Sequence, residues 1–130
     1  MIAIRLLALT AVSAVAAASV TSVAAQPAAA PAQVVQVYSY GFGPRPIHLA
    51  AGQPVTLSFV NQSGSSHDFS AHRFFASSTI TAGAAPDGEI DLPPHQTRTI
   101  TLIPRAGTYP AHCSHFMHAQ LGMRDEIVVS

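Results

Sequence analysis

The single cysteine of the chain lies in a segment that also carries an imidazole and a thioether at equal intervals. Cys113 is followed five positions later by His118, and Met123 follows after five more. A second imidazole, His67, comes after an alternating apolar and polar segment and a turn rich in Ser and Gly. Soft thiolate and thioether ligands favour Cu(I) and imidazoles suit Cu(II), so this mixture of donors is typical of a type 1 copper site. The sequence therefore predicts one copper ion held by His67, Cys113, His118 and Met123.

Two neighbouring residues are rival donors. His115 offers an imidazole, but a single residue separates it from Cys113, which leaves little chain to turn both side chains onto one ion. Met117 offers a thioether, but it adjoins His118 and does not easily fold back over the same metal. We therefore expect His118 and Met123 to be the ligands.

The remaining imidazoles form a surplus, since the chain has seven His and no Lys. Successive side chains of a strand point to opposite faces, so we expect His112 to face away from the metal that Cys113 binds. For His48, His72 and His95, which lie in strand or turn contexts, a solvated side chain is the commonest outcome. A second, looser copper site built from His112, His115 and His72 remains an alternative.

The segments around these donors resemble the cupredoxin family of type 1 blue-copper proteins. The matching motifs are the turn from Asn61 to His67, His67-Asp68-Phe69, the pair Phe74-Phe75, Gly107-Thr108-Tyr109, and Cys-x4-His-x4-Met with Gly122 before Met123. The resemblance implies a Greek-key β-sandwich with copper at one end. It also implies that His67, Cys113 and His118 are the strong ligands, that Met123 is axial, and that a redox partner protein docks at an apolar face around His118.

One position departs from the pattern of this family. The residue after the first ligand His is usually Asn, whose side chain ties the two copper loops together, and here it is Asp68. We expect Asp68 to accept hydrogen bonds from Ser114 or from backbone N–H groups. An extra carboxylate near copper should stabilise Cu(II) and lower the reduction potential.

Strand signals are frequent in the sequence and helix signals are rare. Residues 55–59 and 98–102 alternate apolar and polar side chains, and 34–38 is rich in β-branched and aromatic residues. Segments 108–113 and 127–129 complete the set of predicted strands. Gly- and Pro-containing turns separate these segments, and ten prolines disfavour long helices. We therefore predict an all-β, antiparallel sandwich of Greek-key type, in which only the weak stretch 71–85 holds a helical turn.

The first part of the chain is typical of an export signal. Arg5 carries the only charge in residues 1–25, an apolar stretch follows it, and Val23-Ala24-Ala25 supplies small residues for cleavage. An uncleaved membrane anchor is the alternative, although Ala, Ser and Thr insert weakly. We predict a signal peptide at 1–25, an Ala/Pro-rich spacer at 26–32 and one cupredoxin domain at 33–130. No twin-Arg pair is present, so we expect the general export route and a periplasmic location.

Composition excludes several classes of function. Six Arg balance six acidic residues, so no basic surface indicates nucleic acid or an anionic membrane. A multicopper enzyme would need a longer chain, so we expect no enzymatic activity. We expect a monomeric one-electron carrier that is not inserted in a membrane after cleavage. The alternative is a copper-tolerance or copper-handling protein whose surplus His residues bind extra copper.

Overall fold

The computed structural model describes residues 17–26, 28–115, 118 and 120–130. Within these ranges ten strands form two five-stranded sheets. The first sheet has the order β2-β1-β4-β8-β6 and consists of β1 (Ala32–Tyr38), β2 (Gly41–Gly43), β4 (Val55–Asn61), β6 (Thr79–Ala82) and β8 (Thr97–Ile103). The second has the order β3-β10-β9-β5-β7 and consists of β3 (Ile47–Leu49), β5 (His67–Ser70), β7 (Glu89–Leu92), β9 (Gly107–His112) and β10 (Arg124–Val129). The predicted all-β sandwich is confirmed.

Both sheets are mixed, whereas the sequence predicted antiparallel pairing. β1 pairs in parallel with β4, and β10 pairs in parallel with β3; the other pairs are antiparallel. Parallel neighbours need a crossover between them, and here the chain passes through the opposite sheet before it returns. The alternation within one strand carries no information about the direction of its partner.

The inner faces of the sheets share one aromatic core. Along β4 every second residue is buried, as its alternating pattern requires. The ring of Phe69 lies 4.6 Å from that of Phe59 and 5.2 Å from that of Phe42, and these contacts join the two sheets. The site-bearing strands β5 and β9 therefore rest on a tightly packed base.

The weakly patterned stretch 71–85 forms the predicted helical turn. The helix α1 (His72–Ser77) buries Phe74 and Phe75 and exposes its other face. The strand β6 that follows it was not predicted, because all four of its residues are exposed and show no alternation. A short 3₁₀ turn (Pro86–Gly88) then leads into β7.

The predicted export signal lies partly outside the described residues, which omit 1–16. Residues 17–26 have no regular secondary structure and are exposed. The described residues hold no helix with the length and hydrophobicity of a membrane span. The boundaries at 25 and 32 and the cleavage remain predictions.

Candidate metal centre

Two adjacent strands bring the first two donors together. His67 is the first residue of β5, and Cys113 directly follows β9. These strands pair antiparallel through their last residues, Ser70 and His112, so the chain that leaves β9 at Cys113 runs back along β5 toward His67. The side chains of His67 and Cys113 are 2% and 0% exposed, and Nδ1 of His67 lies 4.0 Å from Sγ of Cys113.

The loop between β9 and β10 brings back the other two donors. The backbone N–H of Cys113 donates to the carbonyl of Met123 at 3.1 Å, and the N–H of Met123 donates to the carbonyl of His118 at 2.9 Å. Gly122 has φ +100°, a conformation that side chains with a Cβ rarely adopt, and it turns the chain into Met123. The loop is therefore closed on itself by backbone hydrogen bonds at the site. Residues 116, 117 and 119 lie outside the described part of the chain.

The three strong donors form a compact group. Nδ1 of His118 lies 3.4 Å from Sγ of Cys113, and one ligand atom from each of His67, Cys113 and His118 lies within 4.8 Å of the others. Among the described residues, no other three His, Cys, Asp or Glu side chains form such a group. Met123, in the same loop, is fully buried. Two imidazoles, one thiol and one thioether fit a single type 1 copper ion.

Burial disfavours the charged forms of Cys113 and His67 in the metal-free protein. Burial raises the pKa of the Cys113 thiol. The pKa of His67 is lowered, first by burial and then by the imidazoles of His118 and His115, while Asp68 opposes this effect. The site therefore offers a thiol and a neutral imidazole, and a bound metal must displace the thiol proton.

Asp68 joins the two halves of the site. It is 1% exposed, and its carboxylate accepts hydrogen bonds from the backbone N–H of Ser114 at 2.8 Å and from the hydroxyl of Ser114 at 2.6 Å. The hydroxyl of Ser70 lies 3.0 Å from Oδ1, and Nε2 of His115 lies 3.5 Å from Oδ2. The predicted contacts with Ser114 and a backbone N–H are confirmed.

A hydroxyl that sequence reasoning missed contacts the other ring nitrogen of His67. Nε2 of His67 lies 2.8 Å from Oγ of Ser63, which in turn donates to Oδ1 of Asn61 at 2.9 Å. The motif from Asn61 to His67 was recognised, but a turn rich in Ser does not reveal which of its hydroxyls faces the imidazole.

An aromatic residue that sequence reasoning also missed lies against His118. Tyr40 occupies the two-residue turn between β1 and β2 and has φ 64°. Its ring stands edge-on to that of His118, with centroids 5.3 Å apart and planes at 85°. Tyr40 and Leu121 are 49% and 55% exposed and add apolar surface near the half-buried His118, while the Arg45 guanidinium donates to the carbonyl of Gly122 in the same loop. Phe116, Met117 and Ala119, which adjoin His118 in the sequence, lie outside the described residues.

The surplus imidazoles do not come together as a second metal site within the described ranges. His115 lies beside His118, with ring centroids 5.4 Å apart and stacked at 25°. Nδ1 of His72 instead contacts the backbone carbonyl of Asp87. His112, on β9, is paired with Ser70 of β5 on one side and with Arg124 of β10 on the other.

Several solved structures share this fold. An auracyanin B is 20% identical, with 82% of this chain and 93% of that chain covered and a TM-score of 0.57. Dithionite-reduced auracyanin from the photosynthetic bacterium Roseiflexus castenholzii is 18% identical, with 79% and 99% covered and a TM-score of 0.59. A multi-copper oxidase from Pediococcus acidilactici is 15% identical, with 78% of this chain but only 26% of that chain covered and a TM-score of 0.59. At these identities the likeness shows the fold alone.

Sequence comparison assigns the family. No curated protein sequence matches the chain. The family described as the cupredoxin-like domain matches residues 6–129, which is nearly the whole chain. The chain therefore belongs to the cupredoxin-like domain family.

Proposed function

We propose that the protein is an exported one-electron carrier with a type 1 copper site. In this proposal His67, Cys113, His118 and Met123 would hold the copper ion. The observation that carries it is the convergence of two imidazole nitrogens on one buried sulfur, within 4.8 Å. Bound copper would supply the Cu(II)/Cu(I) couple.

The surroundings of the donors suit this role because they hold the donors in place before metal binds. His67 and Cys113 sit on paired strands, and backbone hydrogen bonds close the loop that carries His118 and Met123. A rigid, buried donor set changes little between two oxidation states of a metal. Burial of Cys113 also keeps water away from the sulfur.

The face around His118 is the proposed docking surface for a redox partner protein. Tyr40 and Leu121 are exposed there beside the half-buried imidazole. Charged residues make up only 9% of the chain, so docking should depend weakly on salt. We propose a monomer without enzymatic activity of its own. The match covers most of the length of both auracyanins, which supports a protein made of one domain of this kind.

Export is a further part of the proposal. The charge pattern and the small residues of 1–25 support a signal peptide. A periplasmic location would follow, with copper acquired after the chain has crossed the membrane by the general route.

The test is the colour of the copper-loaded protein. We expect wild-type protein titrated with cupric salt to develop intense visible thiolate-to-copper absorption at one copper per chain. Cys113→Ser should lose this absorption while its far-ultraviolet circular dichroism stays unchanged. His48→Ala, at an exposed position on β3, is the matched control and should keep the colour. Colourless wild-type protein, or colour retained in Cys113→Ser, would overturn the proposal.

A copper-handling role is the second candidate, and one contact favours it. His115 is partly exposed, stacks on His118 and lies beside the Asp68 carboxylate, so further donors adjoin the primary site. We expect this role to require extra copper bound after loading with excess metal. A His112→Ala/His115→Ala double variant should then lose the extra copper and keep the visible band. A wild-type protein that binds a single copper under excess metal would exclude this role.

A further inference from the structure

We propose that Ser63 is a positioning residue for the metal centre. Its hydroxyl, held by Asn61, accepts the Nε2–H of His67 and so selects the tautomer whose Nδ1 lone pair faces Cys113. This inference rests on the proposed function, because it takes His67 to be a copper ligand.

The contact is short and lies on the side of the imidazole away from the sulfur. Oγ of Ser63 is 2.8 Å from Nε2 of His67, whereas Nδ1 of the same ring is directed to Sγ of Cys113. An imidazole that binds a metal through one nitrogen carries its proton on the other. Which nitrogen is protonated therefore depends on whether the group facing Nε2 accepts or donates.

Asn61 determines the direction of this hydrogen bond. Its side chain is almost completely buried, and its Nδ2 lies 2.8, 2.9 and 3.0 Å from the carbonyls of Ser65, Leu92 and Pro93. A carbonyl accepts and never donates, so the amide nitrogen of Asn61 must be on this side. The amide oxygen is then on the side of Ser63, where it accepts the backbone N–H of Ser63 at 3.0 Å.

The Ser63 hydroxyl then uses its single proton in a hydrogen bond to Asn61. It donates to Oδ1 of Asn61 at 2.9 Å, with the carbonyl of Ser65 as an alternative acceptor at 3.1 Å. A hydroxyl has one proton and two lone pairs. The lone pairs face Nε2 of His67 and the backbone N–H of Ser65, which lies 3.3 Å away. His67 therefore donates from Nε2, and Nδ1 keeps the lone pair that a metal needs.

The residues that orient the His67 imidazole and select its tautomer lie in the same turn as His67. Asn61 ends β4 and His67 begins β5, so the turn between them carries the orienting group as well as the ligand. Hydrogen-bond partners of metal-binding imidazoles fix the ring orientation, and their loss typically weakens metal binding about 10–100-fold.

The first measurement uses metal-free wild-type protein. Long-range proton–nitrogen correlation spectra distinguish the two tautomers of each imidazole, and we expect His67 to be protonated at Nε2. An Nδ1–H tautomer in the wild-type protein would overturn the inference, whatever any variant does. This readout needs no copper, so it can fail while the proposed function stands.

The second measurement compares three variants. Ser63→Ala should weaken copper binding about 10–100-fold in a competition titration with a chelator and should mix the His67 tautomers. Ser63→Thr keeps the hydroxyl and should restore both properties. Ser65→Ala is the matched control, since Ser65 supplies backbone groups to the turn, and it should behave as wild type.

The outcomes separate the inference from the proposed function. If wild-type protein forms the coloured site and Ser63→Ala has wild-type affinity and a pure Nε2–H tautomer, the inference is wrong and the function stands. If wild-type protein binds no copper, the proposed function is wrong. If Ser63→Ala does not fold, the tautomer of the wild type and the affinity of Ser63→Thr decide.

Discussion

At the scale of the residue, Asp68 combines a structural task with an electrostatic one. Its carboxylate accepts two hydrogen bonds from Ser114 and thereby joins the two segments that carry His67 and Cys113. The Ser70 hydroxyl lies 3.0 Å from Asp68 and 2.7 Å from Glu89, and it can donate its one proton to only one of these carboxylates at a time. A neutral Asn could make the same connections, because the Ser114 hydroxyl can reverse its role. What the carboxylate adds is a buried negative charge beside the metal centre, and a buried charge acts through a low dielectric.

We predict that Asp68→Asn raises the reduction potential of the copper-loaded protein. Removing a nearby negative charge destabilises Cu(II) more than Cu(I), so the rise should be on the order of tens of millivolts. Asp91→Asn is the control, since Asp91 lies directly opposite Asp68 in the β5–β7 pair but is exposed and screened by solvent. Potentiometry that finds an equal potential in Asp68→Asn and wild type would contradict this account.

The buried imidazole of His67 makes the metal-free fold sensitive to acid. Burial and the neighbouring imidazoles lower its pKa below the ordinary 6.5. Between the lowered value and 6.5 the unfolded chain binds more protons than the folded one. The stability that neutral His67 permits is therefore fully present above pH 6.5 and is lost as the pH falls from 6.5 toward the lowered pKa.

We expect the free energy of unfolding of the metal-free protein, measured by urea titration, to fall as the pH drops below about 6.5. His67→Gln should flatten this slope, because the titrating group is absent. His48→Gln removes an exposed imidazole and should leave the slope as in wild type. If the free energy of unfolding of His67→Gln depended on pH as in wild type, other groups would be responsible for the acid sensitivity.

At the scale of the element, the strands show what periodicity reveals. β4 and β8 are predictable because buried residues recur at every second position, over all seven residues of β4 and over the last four of β8. Five other strands have only three or four residues, which is too short for a clear periodic pattern, and their pairing with neighbouring strands makes them extended. These are β2, β3, β5, β6 and β7. β5 is the clearest case, since all four of its residues are buried, including Asp68 and Ser70.

The same limit applies to the metal centre. The spacing from Cys113 to His118 and Met123 is local, so it is readable from the sequence. The approach of Ser63 to His67 and of Tyr40 to His118 depends on how a turn folds back and how two sheets meet. Such contacts leave no periodic signal, and residue type alone does not select one Ser among several.

The turn between β4 and β5 depends on one buried amide. Asn61 holds the carbonyls of Leu92 and Pro93, at the end of β7, against the turn that precedes His67. We predict that Asn61→Ala lowers the free energy of unfolding by about 2–4 kcal/mol, because buried carbonyls lose their donor. Gln62→Ala changes the exposed neighbour and should stay within about 0.5 kcal/mol of wild type. Urea denaturation measures both, and equal losses would show that the Asn61 contacts contribute little.

At the scale of the whole molecule, metal binding and folding are linked. The donors come from β5, from the end of β9 and from the loop before β10, and only the folded chain brings them within 4.8 Å. A ligand that binds the folded state alone stabilises it by about 4 kcal/mol at a free concentration about 1,000 times its dissociation constant. For a domain of roughly 100 residues, each kcal/mol raises Tm by about 4–8 °C.

We therefore predict that copper raises the unfolding temperature by roughly 15–30 °C at such concentrations, and that a chelator reverses the shift. Cys113→Ser should lose most of the increment, because the thiolate is the donor that the two imidazoles surround. His48→Ala should keep it, since that imidazole is exposed on β3. Scanning calorimetry with and without copper measures each increment. An equal shift in Cys113→Ser and wild type would mean that copper stabilises the fold through other groups, and the link between this sulfur and the folded state would not hold.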